Sequence, residues 1–231
     1  MSDIAARLDA VHRRIAAAES RYGRSAGSVA LLGVSKGHPA PALAEAAAAG
    51  QRRFGESYVQ EALPKIEALA SQDLEWHFIG RVQSNKAKQI GRHFAWVHGL
   101  DNLKAAEALD RHRPAAAPPL NVCIQVNAGA ERQKSGVAPD RVLALAEALA
   151  ALPRLALRGL MTIPSPSDDF QEQQQAFAVV AARWRECREA GLALDTLSMG
   201  MSRDLEAAIS QGATLVRIGT AVFGPRPRSP G

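Results

Sequence analysis

Short apolar and β-branched runs alternate along most of the chain with Ala- and Leu-rich runs of helical period. The strand-like runs cover 28–36, 52–57, 75–80, 94–100, 120–127, 155–163, 194–200 and 214–224. Between them lie PALAEAAAAG, SYVQEALPKIEALA, PDRVLALAEALAAL and QEQQQAFAVVAARWRECREA, each long enough to cover one face of a strand pair. Strands that alternate with helices predict parallel pairing through crossovers. Eight such units match a closed (β/α)8 TIM barrel, with the open doubly wound sheet as the alternative. Ahead of the first strand, Ile4, Leu8, Val11 and Ile15 share one helical face, so residues 1–24 are expected to form an extra N-terminal helix packed on the barrel.

The 231 residues are read as one domain, because no low-complexity linker divides them. RPAAAPP (113–119) reads as a proline-rich loop, and residues 225–231 as a flexible tail. Side-chain alternation assigns faces. In the fifth strand Asn121, Cys123, Gln125 and Asn127 form a polar file toward the lumen, while Val122, Ile124 and Val126 lie under the helices. The eighth strand places Arg217 inward near the top, where a buried guanidinium needs an anion or another acceptor; an ion pair with a neighbouring carboxylate is an equal alternative at this point.

Composition narrows the function classes. Hydrophobic residues make up 47% and charged residues 22%, and no apolar run approaches the length of a membrane span. The opening segment lacks a continuous apolar centre, and Asp3, Asp9 and Glu19 argue against a transit peptide, so a cytoplasmic location is expected. The net charge of +5 is spread among acidic residues rather than gathered into blocks, which argues against nucleic acid and suits small phosphorylated ligands. Cys123 and Cys187 have neither metal-ligand nor disulfide spacing and read as reduced structural thiols.

Reactive groups of a barrel gather at the C-terminal ends of its strands. Lys36 closes the strand ALLGVSK, where its amine either forms a Schiff base or snorkels out to solvent. LSMGMSRDLEAAI turns from strand to helix at Gly200 with Ser202 as the expected N-cap, and RIGTAVFG brings Gly219 and Thr220 to the rim. Two adjacent cups of backbone N–H groups suit one phosphate, although Asp204 and Glu206 partly neutralise the first; each segment alone also fits an ordinary capped turn.

The motifs VSKGHP (34–39), FGESYVQE (54–61), WHFIGRVQSNK (76–86), KSG (134–136), LRGLMTIP (157–164), LSMGMSRDLEAAI (197–209) and VRIGTAVFG (216–224) occur in this order. Together they resemble the pyridoxal phosphate homeostasis protein family, which is similar in fold to the N-terminal barrel domain of alanine racemase. The resemblance implies pyridoxal 5'-phosphate (PLP) as cofactor, with Lys36 as its covalent Schiff-base anchor. It also implies that Ser198, Met199, Gly200, Met201 and Ser202 with Gly219 and Thr220 hold the phosphate, and that Arg217 faces the pyridine nitrogen. Ser57 stands where the family usually has Asn, Gly99 where serine is usual, and His38 where Thr or a second lysine is frequent. Tyr58, His77 and Lys134 are possible accessory residues, each with a plainer reading as packing or surface.

Two classes of function follow from a cofactor on Lys36: a carrier that buffers PLP for vitamin B6 homeostasis and releases it to apo forms of PLP enzymes, or an amino-acid racemase. The carrier is favoured, because an arginine cannot protonate the ring as an acidic partner would, and no second base is evident. A third class, a Schiff-base aldolase, needs an acid/base group beside the lysine, and none is evident. Without the second domain through which alanine racemase dimerises, a monomer is expected. No metal, nucleic-acid or membrane partner is expected.

Overall fold

The computed structural model describes residues 3–129 and 135–226. Eight parallel strands close into a barrel in sequence order: β1 (Ala30–Val34), β2 (Arg53–Glu56), β3 (Glu75–Phe78), β4 (Trp96–Leu100), β5 (Leu120–Gln125), β6 (Leu155–Met161), β7 (Thr196–Ser198) and β8 (Leu215–Ile218). Closure is made by β8 pairing with β1, where Leu32 stands opposite Arg217 and Gly33 opposite Ile218. The crossover helices are α2 (Ala40–Ala48), α3 (Val59–Ala68), α4 (Ala87–His93), α5 (Leu103–His112), α6 (Val142–Ala150), α7 (Phe170–Glu189) and α8 (Leu205–Ser210). They are preceded by α1 (Ile4–Arg21) and followed by the short α9 (Thr220–Phe223).

The main core lies between strands and helices, where Val122 and Ile124 of β5 are fully buried with the inner faces of the helices. A separate apolar group, Trp96, Cys123 and Met161, fills part of the lumen, so the alternation expected for the fifth strand is observed. Both cysteines are free and buried, and burial pushes the Cys123 thiol up to about 12, which leaves it an unreactive thiol at neutral pH. Among the described residues no helix is long and apolar enough to cross a membrane.

Three local expectations are corrected. The eighth strand ends at Ile218, and Thr220–Phe223, which a β-branched and aromatic composition suggests as strand, form α9. Tertiary burial overrides propensity there, with Val222 and Phe223 buried in the main core. The seventh strand is likewise confined to Thr196–Ser198. Ser202 is not the N-cap of α8; Asp204 holds that position, and its carboxylate instead accepts from the Met201 N–H.

β6 and β7 approach closely at Gly159, where a Cβ would lie 1.7 Å from the Thr196 carbonyl oxygen. Gly159→Ala is therefore expected to force the two strands apart and cost about 1–3 kcal/mol, read as a fall in the thermal unfolding midpoint.

Candidate functional site

Lys36 follows β1 with only Ser35 between them, in a turn that Gly37 completes at φ +78°. Its neighbours in the chain are held from below by a buried ionic cluster. The Lys65 ammonium of α3 donates to the Ser35 carbonyl at 3.0 Å, to Glu56 Oε1 at 2.8 Å and to Glu61 Oε1 at 2.6 Å. The Ser35 hydroxyl donates to the same Glu56 oxygen at 2.6 Å, and the Gly37 N–H donates to Glu61. Residues on both sides of Lys36 are thus fixed to one clamp, of which Glu56 and Lys65 are both buried. Burial pushes the Glu56 carboxyl up, opposed by its hydrogen bonds from Lys65 and Ser35.

The Lys36 side chain lines a cavity of about 720 Å³ at the C-terminal mouth of the barrel, together with Arg217, Met201, Ser202, Gly219 and Thr220. Its pKa lies below that of an ordinary lysine, first because burial disfavours the ammonium, then because Arg226 and Arg217 repel it. A neutral amine is the nucleophile toward an aldehyde. The rate at which Lys36 captures an aldehyde is therefore expected to rise with pH and to level off below 10.5, the ordinary lysine value, in stopped-flow absorbance across a pH series.

Positive charge dominates the mouth. Arg14, Lys36, Arg203, Arg217 and Arg226 all line the cavity, with Asp204 as the carboxylate among the lining residues. Arg14 pairs with Glu206 and Arg203 with Asp168, whereas Lys36, Arg217 and Arg226 have no carboxylate within ion-pair distance among the described residues. Arg14 reaches across from α1 and also donates to the Ser202 carbonyl at 3.1 Å, so the first helix braces the turn after β7. The turn after β8 leads straight into α9, whose first N–H groups have no partner inside the helix.

The residues proposed from sequence divide into two groups. Lys36, Met201, Ser202, Arg217, Gly219 and Thr220 meet at the cavity. Ser198 and Met199 are fully buried: Met199 belongs to the main core, and the Ser198 hydroxyl is turned into the lumen. Gly200 makes the intervening turn at φ +98°. Ser57 and Tyr58 lie at the end of β2, where the Ser57 carbonyl abuts Gly80; Tyr58 is 65% exposed, and neither side chain lines the cavity. His77 is fully buried in the lumen. Lys134 lies outside the described residues, as does the tail from 227 on. His38 is buried with its ring 5.1 Å from that of Phe223. At Gly99, where the resemblance suggests serine, a Cβ would lie 2.3 Å from the Gly80 carbonyl oxygen, so this backbone admits only glycine without moving.

Arg217 is buried in the lumen and held at its tip. Nη1 donates to the Ser198 carbonyl and, at 2.9 Å, to the Ser198 hydroxyl, while Nη2 donates to the Thr162 carbonyl at 2.7 Å. Burial lowers its pKa to about 10, which leaves it charged at neutral pH. Its acceptors are carbonyls and a hydroxyl, not a paired carboxylate, so the ion-pair alternative is not what the structure holds.

Sequence reasoning missed the clamp of Ser35, Glu56, Glu61 and Lys65, the brace from Arg14, and the contributions of Arg226 and His98. Glu56 shares parity with Phe54 on β2, but a lone buried carboxylate is detectable only once its lysine partner on the next helix is known.

A closed parallel barrel with a lysine behind its first strand, an arginine on its last and two turns around one cationic cavity defines a barrel of the alanine racemase N-terminal class. The family model described as "Alanine racemase, N-terminal domain" matches residues 6–227. The chain belongs to the pyridoxal phosphate homeostasis protein family: it is 56% identical over 227 residues to the pyridoxal phosphate homeostasis protein of Pseudomonas aeruginosa, covering 98% of this chain and 97% of the relative. The relative of that name from Escherichia coli K12 is 49% identical over 229 residues, covering 98% of both. Among solved structures, PipY from Synechococcus elongatus PCC7942 with PLP bound is 39% identical, with a TM-score of 0.79 over 91% of this chain and all of that one. Alanine racemase from Corynebacterium glutamicum, at 19% identity and a TM-score of 0.69, shares the fold; the match covers 61% of that longer chain.

Proposed function

We propose that this protein binds pyridoxal 5'-phosphate reversibly through Lys36 and serves as a carrier or buffer of the cofactor, not as an enzyme acting on amino acids. The observation that carries this reading is a lysine of lowered pKa in a cavity where three cations lack a carboxylate partner among the described residues, beside two turns that offer backbone donors. Such a site suits an aldehyde that carries a phosphate. The relatives named for pyridoxal phosphate homeostasis and the PLP-bound PipY support the same ligand.

When bound, the cofactor supplies an aldehyde carbon that an amine captures reversibly and an aromatic ring able to accept electrons. The rest is done by the chain. Lys36 offers its neutral amine at the strand end, held in place through Ser35 and Gly37. Ser202, Gly219 and Thr220 receive the phosphate, with Arg226 adding positive potential. Arg217 uses three of its five N–H groups on Ser198 and Thr162, which leaves donors for the ring nitrogen.

The carrier reading is favoured over a racemase by the position of Tyr58, while Arg217 limits how strongly the ring could stabilise a carbanion. A guanidinium that stays charged donates a hydrogen bond to the ring nitrogen without protonating it, so the ring remains a weak electron sink. Tyr58 is mostly exposed and outside the cavity lining, an unsuitable position for a second base.

Borohydride reduction of the PLP-loaded protein followed by peptide mapping is expected to place the label on Lys36. Mixing the loaded protein with an apo PLP enzyme is expected to restore activity faster than spontaneous loss of cofactor allows. Label on another lysine, or deuterium entering Cα of any amino acid in a broad panel, would overturn the reading.

A further inference from the structure

The lumen below Arg217 contains a continuous file of polar side chains that the binding role leaves unused. The Ser198 hydroxyl, which accepts from Arg217, lies 2.8 Å from His98 Nδ1. His98 Nε2 lies 2.9 Å from His77 Nδ1, and His77 Nε2 lies 2.9 Å from Glu75 Oε1. Glu75 begins β3 at the N-terminal face of the barrel, where it also pairs with Arg53 at 3.2 Å and lines a second cavity of about 620 Å³. His77, His98 and Ser198 are fully buried, so the file crosses the barrel interior from one end to the other.

The two ends fix the direction of every hydrogen bond. A carboxylate only accepts, so His77 carries its proton on Nε2 and presents a bare Nδ1. His98 must then donate from Nε2, which leaves its Nδ1 to accept from the Ser198 hydroxyl, whose oxygen accepts from Arg217. Each donor points toward Glu75 and each lone pair toward Arg217. Burial keeps both imidazoles neutral, with His98 held well below the ordinary histidine value, and the hydrogen bond from His77 holds the Glu75 carboxyl down at about 2. Trp96 stacks on His77 at 5.4 Å with the rings 7° from parallel, which leaves little freedom for ring rotation. The aligned dipoles extend negative potential from Glu75 to a guanidinium that has no carboxylate within ion-pair distance among the described residues.

We infer that Glu75, His77, His98 and Ser198 form a directed hydrogen-bond relay that orients Arg217 and determines which of its N–H groups face the cavity. They are positioning residues, and the inference rests on the reading that Arg217 meets the ring of the bound cofactor. The relay does not deliver a proton to the site, because its upper end is a guanidinium that remains charged. Its effect is to fix a donor, so its loss weakens binding without removing the covalent anchor.

The relay is tested first without cofactor, by nitrogen-15 NMR of histidine-labelled protein at neutral pH. Both rings are expected as neutral Nε2–H tautomers; a charged ring or an Nδ1–H tautomer at either position would overturn the relay. Glu75→Leu, which removes the terminal acceptor at the far end from the cavity, is expected to abolish the single tautomer of His77, whereas Glu75→Gln retains it. Loaded with PLP, Glu75→Leu and Ser198→Ala are each expected to shift the cofactor absorption maximum and weaken binding about 3- to 10-fold, the scale of one hydrogen bond. Wild-type affinity and spectrum in Glu75→Leu would overturn the inference even if Ser198→Ala fails to fold. Failure of the wild-type protein to bind PLP would instead overturn the proposed function, while the tautomers still decide the relay.

Discussion

Lys36→Ala is expected to yield a colourless protein that retains no PLP through gel filtration, against near-stoichiometric retention by the wild type. The remaining cup of Ser202, Gly219, Thr220 and Arg226 offers only reversible contacts to a phosphate that water also solvates well. Lys36→Arg should not rescue the loss, because a guanidinium has no lone pair with which to capture an aldehyde. The fold should be indifferent to either change. Lys36 lies outside the core and is repelled by Arg217 and Arg226, so its removal takes away a like-charge contact and should leave the unfolding midpoint equal or slightly higher. A midpoint several degrees lower would show that Lys36 has a structural role.

Lys65→Met is the second large effect, and it acts on both stability and binding. The ammonium neutralises Glu56, whose side chain is fully buried, and the substitution leaves that carboxylate uncompensated, a loss of about 3–5 kcal/mol in equilibrium denaturation. The pH dependence has a definite sign. Burial already raises the Glu56 pKa, and removing the cation raises it further, so the folded state of the variant binds a proton that the unfolded state releases. Its deficit should therefore shrink as pH falls toward the carboxylate range. Glu56→Gln in the same background removes the buried charge and should recover part of the loss. PLP capture should slow in Lys65→Met, because Ser35 loses its clamp on one side of Lys36.

The barrel was legible because each of its eight units carries its own signal, a short apolar run followed by a helical one, and closure follows from the count. Lys36, Arg217, Ser202, Gly219 and Thr220 were legible because barrel sites collect at strand ends, and the structure brings these five to one cavity. The turn after β7 was read less well: Ser202 has the composition of an N-cap, but the chain needs two more residues before α8 begins at Leu205. Glu56 and Lys65 were hidden for a different reason. In sequence a charged residue on an amphipathic helix signals a solvated face, and only tertiary packing reveals that Lys65 is buried against two carboxylates. His98 was passed over and His77 ranked as packing, because one histidine per strand has no spacing signal; the register that sets them 2.9 Å apart spans two neighbouring strands.

The brace from Arg14 to the Ser202 carbonyl and to Glu206 joins positions 188 and 192 residues apart, and β1 finds its second neighbour only in β8. Closing loops of this length costs conformational entropy that the contacts must repay. During synthesis Lys36 emerges early, yet the cavity it lines with Ser202, Arg217, Gly219 and Thr220, and the strap from Arg14 that steadies its rim, cannot assemble until β8 has left the ribosome.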